Sequence, residues 1–186
     1  DWSYELLSQP EQKLFAMLSV FKGSTFEAAE AVAEAVAGET ADIFEGLESL
    51  VDKSLIRLVD DGTAEPRLRM LETIREYAAE RLKKDGGLEQ AACSEHAAYF
   101  ANFAQEQRGR LSGYDRQEAE AALAADVENL QIAWQDWTAE GDLEQLQKMV
   151  DSLWLLYERS GWYQAMADLT SDLLDVLATT PSTPEH

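Results

Sequence analysis

The sequence has little cysteine, little positive charge and no long apolar run. Its single cysteine, Cys93, excludes an internal disulfide framework, which fits a reducing compartment. Lysine and arginine together number 15 against 36 aspartates and glutamates, and the resulting net charge of −21 disfavours nucleic-acid binding by the chain as a whole. No apolar run approaches the roughly 20 residues of a membrane helix, and no signal-peptide pattern is present. These absences predict a cytoplasmic chain with no membrane partner.

The sequence also lacks a catalytic constellation. Cys93 and His96 lie three residues apart, but zinc sites usually need three or four protein ligands, so helix packing is the favoured interpretation. Asp60 and Asp61 precede Gly62, and adjacent acids at such a place favour a solvated turn over a catalytic carboxylate pair. No nucleophile, base and orienting group can be named together, which predicts a chain that is not an enzyme and holds no metal.

A helix, two short strands and a second helix are predicted in residues 42–82. Apolar residues recur at helical spacing from Ile43 to Val51, and an alternating run follows at residues 55–59. Residues 67–70 supply a returning strand, and residues 71–82 resume the helical period. This order is typical of a winged helix-turn-helix with one antiparallel hairpin. The hairpin side chains expected to face the core are Ile56, Leu58, Leu68 and Met70.

Helices are predicted on both sides of this segment, so the fold class is mainly α. Ser8 and Glu11 have the spacing of a capping box, and the alanine-rich run at residues 26–37 has high helix propensity. Charge and glycine at residues 83–87 predict a domain boundary, with a winged-helix domain at 1–86 and a helical region at 87–186.

Antiparallel helical hairpins are predicted in residues 87–186. Long helices are expected at about 88–108 and 114–138, and two more follow the turns at Gly141 and Gly161. The last pair carries part of a tetratricopeptide pattern, in which Met166 stands where that pattern prefers alanine. The pattern's other matching residues are Tyr157, Gly161, Trp162, Tyr163 and Pro181. An irregular helical bundle is the alternative.

Several motifs resemble one family when taken in order. The resemblance rests on Leu50-Val51-Asp52-Lys53-Ser54-Leu55, on Arg69-Met70-Leu71-Glu72-Thr73-Ile74-Arg75-Glu76-Tyr77-Ala78 and, less specifically, on His96-Ala97-Ala98-Tyr99-Phe100. These motifs are similar to the winged-helix and tetratricopeptide-like region of bacterial STAND-type predicted ATPase regulators. That group includes LuxR-type and antibiotic-regulatory transcription factors and adenylate-cyclase-like signalling proteins. The resemblance implies that the chain is a fragment of a longer protein.

The resemblance also implies an upstream nucleotide-binding domain as a partner in the same chain. No Gly-x-x-x-x-Gly-Lys-Ser/Thr run occurs here, so ATP or ADP is expected in that upstream domain and no cofactor in this fragment. Related eukaryotic members carry Met-His-Asp after the wing, and the histidine contacts ADP. Here Met70 is retained, while Leu71 and Glu72 replace the other two residues, so that contact is not carried over.

Two sets of residues are candidates for contact surfaces. The first, expected to contact the upstream domain, consists of Arg67, Arg69, Met70, Leu71, Glu72 and Arg75; solvated surface is the alternative. The second, a possible helical groove for a protein or peptide partner, consists of Trp154, Tyr157, Trp162 and Tyr163; core packing is the alternative.

Two functional hypotheses remain from the sequence. The favoured one is a non-catalytic signalling segment that relays nucleotide or ligand state through interdomain and protein–protein contacts. The alternative is a DNA-binding winged-helix transcription factor. DNA is the less expected partner because Asp42, Glu45 and Glu48 lie on the polar side of the third predicted helix, where phosphate contact needs positive charge.

Overall fold

The structure, a computed structural model, describes residues 2–38, 43–60 and 65–179. The chain forms two compact units, residues 1–99 and 100–186. The predictions for Asp42, for the turn residues Asp61 and Gly62, and for Pro181 lie outside the described residues. The described part is mainly helical, and the predicted fold class is confirmed.

The first unit contains the predicted order of helices and strands. A short helix α1 (Trp2–Glu5) precedes α2 (Gln9–Met17) and a 3-10 turn (Leu18–Val20). The next elements are α3 (Phe26–Ala37), α4 (Ile43–Asp52), β1 (Arg57–Val59), β2 (Arg67–Arg69), α5 (Glu72–Leu82) and the start of α6 (Gly86–Arg110). Helix α2 packs against α4 and α5, and Phe15, Leu47, Leu50 and Ala78 are fully buried in the core of this unit. The helix–hairpin–helix prediction is therefore confirmed.

The hairpin is antiparallel, and Leu58 on β1 lies directly opposite Leu68 on β2. Ile56 and Leu68 are buried and Met70 is half-buried, but Leu58 is 57% exposed, so the prediction that it faces the core is wrong. Ser24 pairs with Leu68 through two backbone hydrogen bonds of 3.0 and 2.8 Å on the other side of β2. Strand β2 is thus flanked on both sides, whereas β1 is the outer strand, which leaves Leu58 uncovered.

The second unit holds the end of α6 and the helices α7 (Arg116–Ala125), α8 (Val127–Glu140), α9 (Leu143–Ser160) and α10 (Tyr163–Thr179). The single helix predicted at 114–138 is wrong, because the helix is interrupted at Asp126. The backbone there has φ −107° and ψ 16°, and the buried Asp126 carboxylate accepts a 2.8 Å hydrogen bond from the Asn129 side chain. The bond joins Asp126 to the first turn of α8.

Short turns join α8 to α9 and α9 to α10. Gly141 and Gly161 adopt the left-handed conformation with φ of 72° and 70°, which glycine accepts without steric cost. Between them, the Asp142 carboxylate caps α9 by accepting hydrogen bonds from the amides of Glu144 and Gln145. These turns produce the predicted helical hairpins, while the tetratricopeptide assignment stays a prediction.

Polar contacts as well as apolar packing hold the second unit together. Leu130 and Leu153 are fully buried. The buried Ser152 hydroxyl donates a 2.6 Å hydrogen bond to the Ala104 carbonyl, which ties α9 to α6. The Trp134 indole donates to the Asp172 carboxylate at 3.0 Å, which ties α8 to α10. The domain boundary predicted after residue 86 remains a prediction, and α6 runs without a break past residue 99.

Candidate functional site

The first candidate contact set lies where β2 leads into α5. Arg67 differs from its neighbours because it is only 3% exposed, and its guanidinium donates a 3.3 Å hydrogen bond to the Gly23 carbonyl. The alternation of arginine with leucine and methionine did not indicate this burial, because the sequence does not show that the Gly23 segment lies beside β2. Any contact made by Arg67 with another domain would have to disturb this packing.

Glu72 and Arg75 form an ion pair at the start of α5. The guanidinium of Arg75 lies 2.5 Å from the Glu72 carboxylate and also donates a 3.4 Å bond to the Ser19 carbonyl. Lys22 lies 3.8 Å from the same carboxylate. The hydrogen bond from Arg75, together with the charges of Arg75 and Lys22, lowers the pKa of Glu72. Both of these Arg75 contacts therefore lie within the first unit.

Exposed groups of this region lie on the hairpin and at the turn into α5. Arg57 and Arg69 are cross-strand partners and both are exposed, so two cations share one face of the hairpin. The side chain of Arg69 passes over Gly23. Gly23 has a φ of 113°, and a Cβ added to it would lie 3.2 Å from Arg69 Cγ. Leu71 precedes α5 and is 46% exposed. The hairpin thus offers positive charge, and the turn beside it offers a small apolar surface.

The four aromatic residues of the second set have different environments. Tyr157 is buried, and its ring centroid lies 5.9 Å from that of Trp162. Burial raises the pKa of the Tyr157 hydroxyl, which the Gln131 amide contacts at 3.4 Å. Trp154, Trp162 and Tyr163 are 41%, 42% and 73% exposed. Tyr157 is thus part of the core, and the other three supply exposed aromatic surface on α9 and α10.

The exposed side of α4 combines an aromatic ring with carboxylates. Phe44 is 50% exposed and its ring centroid lies 5.3 Å from that of Phe26 on α3. Glu45, Glu48 and Asp52 are exposed on the same helix. Neither α3 nor α4 contains a lysine or arginine. The acidic character predicted for this helix therefore extends over its exposed side.

The nearest cation in sequence, Lys53, is held by an ion pair with α2. Its ammonium lies 2.6 Å from the Glu11 carboxylate and 2.6 Å from the Ser49 hydroxyl, which also donates to Glu11. Glu11 further accepts a 2.7 Å bond from the Ser8 amide. Lys53, then Ser49, then the Ser8 amide lower the pKa of Glu11 to about 2. The capping spacing predicted the Ser8 contact, but not the contacts with α4.

No chemistry beyond surface contact is evident in the described ranges. Among residues 2–38, 43–60 and 65–179, no group of three or more His, Cys, Asp or Glu side chains is placed to hold a metal ion. Cys93 is a partly buried thiol and His96 is fully buried beside the Phe21 ring. Over the same residues, no helix combines the length and the apolar character that crossing a bilayer requires.

The hairpin, the helix that precedes it and the helix that follows it decide the fold of the first unit. Residues 7–83 match the family model of the winged helix-turn-helix domain. They form a winged-helix domain. In this domain β1 and β2 are the wing, and α3 and α4 are the helices of the helix-turn-helix. The fold part of the resemblance seen in the sequence is thereby confirmed.

Curated relatives extend the similarity beyond the winged-helix domain. The chain is 32% identical over 179 residues to proteins of Mycobacterium bovis and Mycobacterium tuberculosis that are provisionally named HTH-type transcriptional regulators. This alignment covers 90% of the chain and 20% of each relative, so the chain spans about a fifth of their length. An uncharacterized protein of Mycobacterium tuberculosis is 35% identical over 92 residues, which is 46% of this chain and 22% of that protein. No solved structure matches the chain.

Proposed function

We propose that this chain is a non-catalytic segment of a DNA-binding transcriptional regulator. The observation that supports this most is the 179-residue alignment with proteins named as HTH-type transcriptional regulators, since it includes residues of both units. The winged-helix domain at 7–83 adds support, because many such domains contact DNA with the helix-turn-helix and the wing. A regulator of transcription works where the chromosome is, which agrees with the cytoplasmic location expected from the sequence.

The wing is the part of this domain best suited to contact phosphate. Arg57 is exposed on the hairpin, opposite Arg69, and can pair with a neighbouring phosphate. Helix α4 is poorly suited, because its exposed side carries Glu45, Glu48 and Asp52 and its adjoining Lys53 is bound to Glu11. We therefore infer a contact led by the wing, with a large share of its affinity from charge and little from base recognition.

Fluorescence anisotropy with labelled duplexes at several salt concentrations tests this contact. We expect binding in the range of about 10⁻⁶ to 10⁻⁴ M at physiological salt, as for largely non-specific contacts. Arg57→Glu should weaken binding and reduce the slope against log salt by about one. Lys13→Glu is the matched control, since Lys13 is an exposed cation on α2, outside the wing. Equal binding of both variants, or no binding by the unaltered chain, would contradict a contact led by the wing.

A second candidate function is the relay suggested by the STAND-type resemblance. In this proposal the winged-helix domain packs on an upstream nucleotide-binding domain that holds ATP or ADP, and the helical region binds a protein or peptide through Trp154, Trp162 and Tyr163. The observation that favours it is Leu71, an apolar side chain that is 46% exposed beside the exposed Arg69. Such a side chain is better explained by a protein contact than by a DNA contact.

The relay can be separated from DNA contact in the intact regulator. Leu71→Ser should change transcriptional output while leaving the anisotropy of DNA binding unchanged, because Leu71 carries no charge toward phosphate. Leu6→Ser is the matched control, since Leu6 is 59% exposed in the same unit. Normal transcriptional output from Leu71→Ser, at normal expression, would contradict the relay. That result would not bear on the DNA contact of the wing, which the anisotropy assay tests separately.

A further inference from the structure

An aromatic surface on the helix-turn-helix has no use in a DNA contact led by the wing. Phe44 on α4 is half exposed, and its ring packs at a tilt against the ring of Phe26, which is itself only partly buried. Because half of its surface stays in water, Phe44 gains only about half of the free energy that full burial would give it. Exposed single apolar residues are common, but this one forms a pair on two adjoining helices, so a partner could cover both rings at once.

The charged side chains of the two helices that carry these rings are all acidic. The carboxylates exposed on α3 and α4 are those of Glu27, Glu34, Glu45, Glu48 and Asp52. Neither helix supplies a lysine or arginine, and Lys53 is held by Glu11 and Ser49 at 2.6 Å each. A partner that covers the rings must therefore enter a negative field without a compensating cation from these helices.

This combination fits a basic protein segment with an apolar anchor. We propose that the Phe26–Phe44 pair and the surrounding carboxylates of α3 and α4 dock such a segment. An aliphatic anchor covers the rings, and lysine or arginine side chains pair with the carboxylates or lie over a ring face. DNA and anionic membranes carry the same sign of charge as this face, so both would be repelled. The docking goes beyond the proposed function and uses residues outside the wing.

Synthetic peptides test the docking on the full chain. The probe is an 18-residue amphipathic helix of lysine and leucine, and two reference peptides have either glutamate in place of lysine or serine in place of leucine. We expect micromolar binding of the lysine–leucine peptide, with at least about tenfold weaker binding of both references. Equal binding of the lysine–serine peptide would overturn the apolar anchor. Equal binding of the glutamate–leucine peptide would overturn the charge complementarity.

Point variants place the bound peptide on the surface. Phe44→Ala should weaken binding about tenfold, whereas Leu58→Ala, at a 57% exposed leucine of the wing, should not. Glu48→Gln should weaken peptide binding and reduce its dependence on salt. Glu76→Gln, at an exposed glutamate of α5, should change both less. Unchanged peptide binding by Phe44→Ala would overturn the proposal. Weaker binding of duplex DNA by Phe44→Ala would also overturn it, because this surface would then contact DNA. Arg57→Glu, which tests the wing, should leave peptide binding unchanged, so the two proposals fail separately.

Discussion

Replacing Glu11 with glutamine tests the contact that joins the start of α2 to the end of α4. The Glu11 carboxylate contacts the Lys53 ammonium at 2.6 Å, accepts from the Ser49 hydroxyl and accepts from the Ser8 amide at 2.7 Å. Glutamine keeps the size of the side chain but removes its charge, so it weakens all three contacts. We expect the first unit to lose stability at neutral pH and the loss to disappear in acid.

The size and the sign of this effect follow from the pKa of Glu11. Its value falls from 4.5 to about 2 on folding, and each unit of difference is worth about 1.4 kcal/mol, which gives about 3 kcal/mol. The side chains of Glu11 and Lys53 are 16% and 31% exposed, so solvent screening reduces this to about 1–2 kcal/mol. Because the folded pKa is depressed, the stabilisation is complete above about pH 5 and is lost as the pH falls toward 2.

Urea unfolding at pH 7, 5, 4 and 3 measures the difference between the two chains. Tryptophan fluorescence mainly follows the second unit, because four of the five tryptophans lie at residues 134–162. Circular dichroism follows the helices of both units. A change in circular dichroism that has no counterpart in the fluorescence therefore reports the first unit. Glu48→Gln, at an exposed glutamate of α4, is the control and should leave stability within about 0.5 kcal/mol. The carboxyl carbon shift of Glu11 should titrate near 2 in the unaltered chain.

A pH-independent difference between the unaltered chain and Glu11→Gln would refute this reasoning. So would an ordinary titration of Glu11 near 4.5 in the folded chain. Either result would mean that the contacts with Lys53 and Ser49 add no net stabilisation in solution.

Two further predictions concern the second unit and use tryptophan fluorescence in urea. Asp142→Ala removes the side chain that caps α9, and the free energy of unfolding should fall by about 1 kcal/mol. Asp142→Asn should restore most of this loss. An unfolding midpoint that Asp142→Ala leaves unchanged would argue against the cap. Ser152→Ala removes the 2.6 Å bond to the Ala104 carbonyl and should cost about 1 kcal/mol, whereas Ser160→Ala, at an exposed serine of the same helix, should have no effect. Equal midpoints for the two serine variants would show that the buried bond contributes nothing.

The sequence by itself determined most of the segments that become helices and the two that become the hairpin strands. The helical spacing of Ile43, Leu47 and Leu50 requires one apolar face, and all three side chains are buried. The alternating run and the returning strand predicted the hairpin, and its antiparallel pairing is confirmed. Local spacing also predicted the Ser8–Glu11 capping contact, since helix starts leave amides that nearby side chains must satisfy. These features depend on neighbours within a few residues, which a sequence displays directly.

Only the tertiary structure decided which of these side chains are covered. Leu58 and Leu68 share one face of the hairpin, yet Leu68 is buried because Ser24 flanks β2, and Leu58 is exposed because β1 is the outer strand. Arg67 is buried against the Gly23 carbonyl, although its strand alternates like a surface strand. Glu11 meets Lys53 across 42 positions of sequence. Burial and long-range pairing depend on which elements lie side by side, and that arrangement arises only when the chain packs.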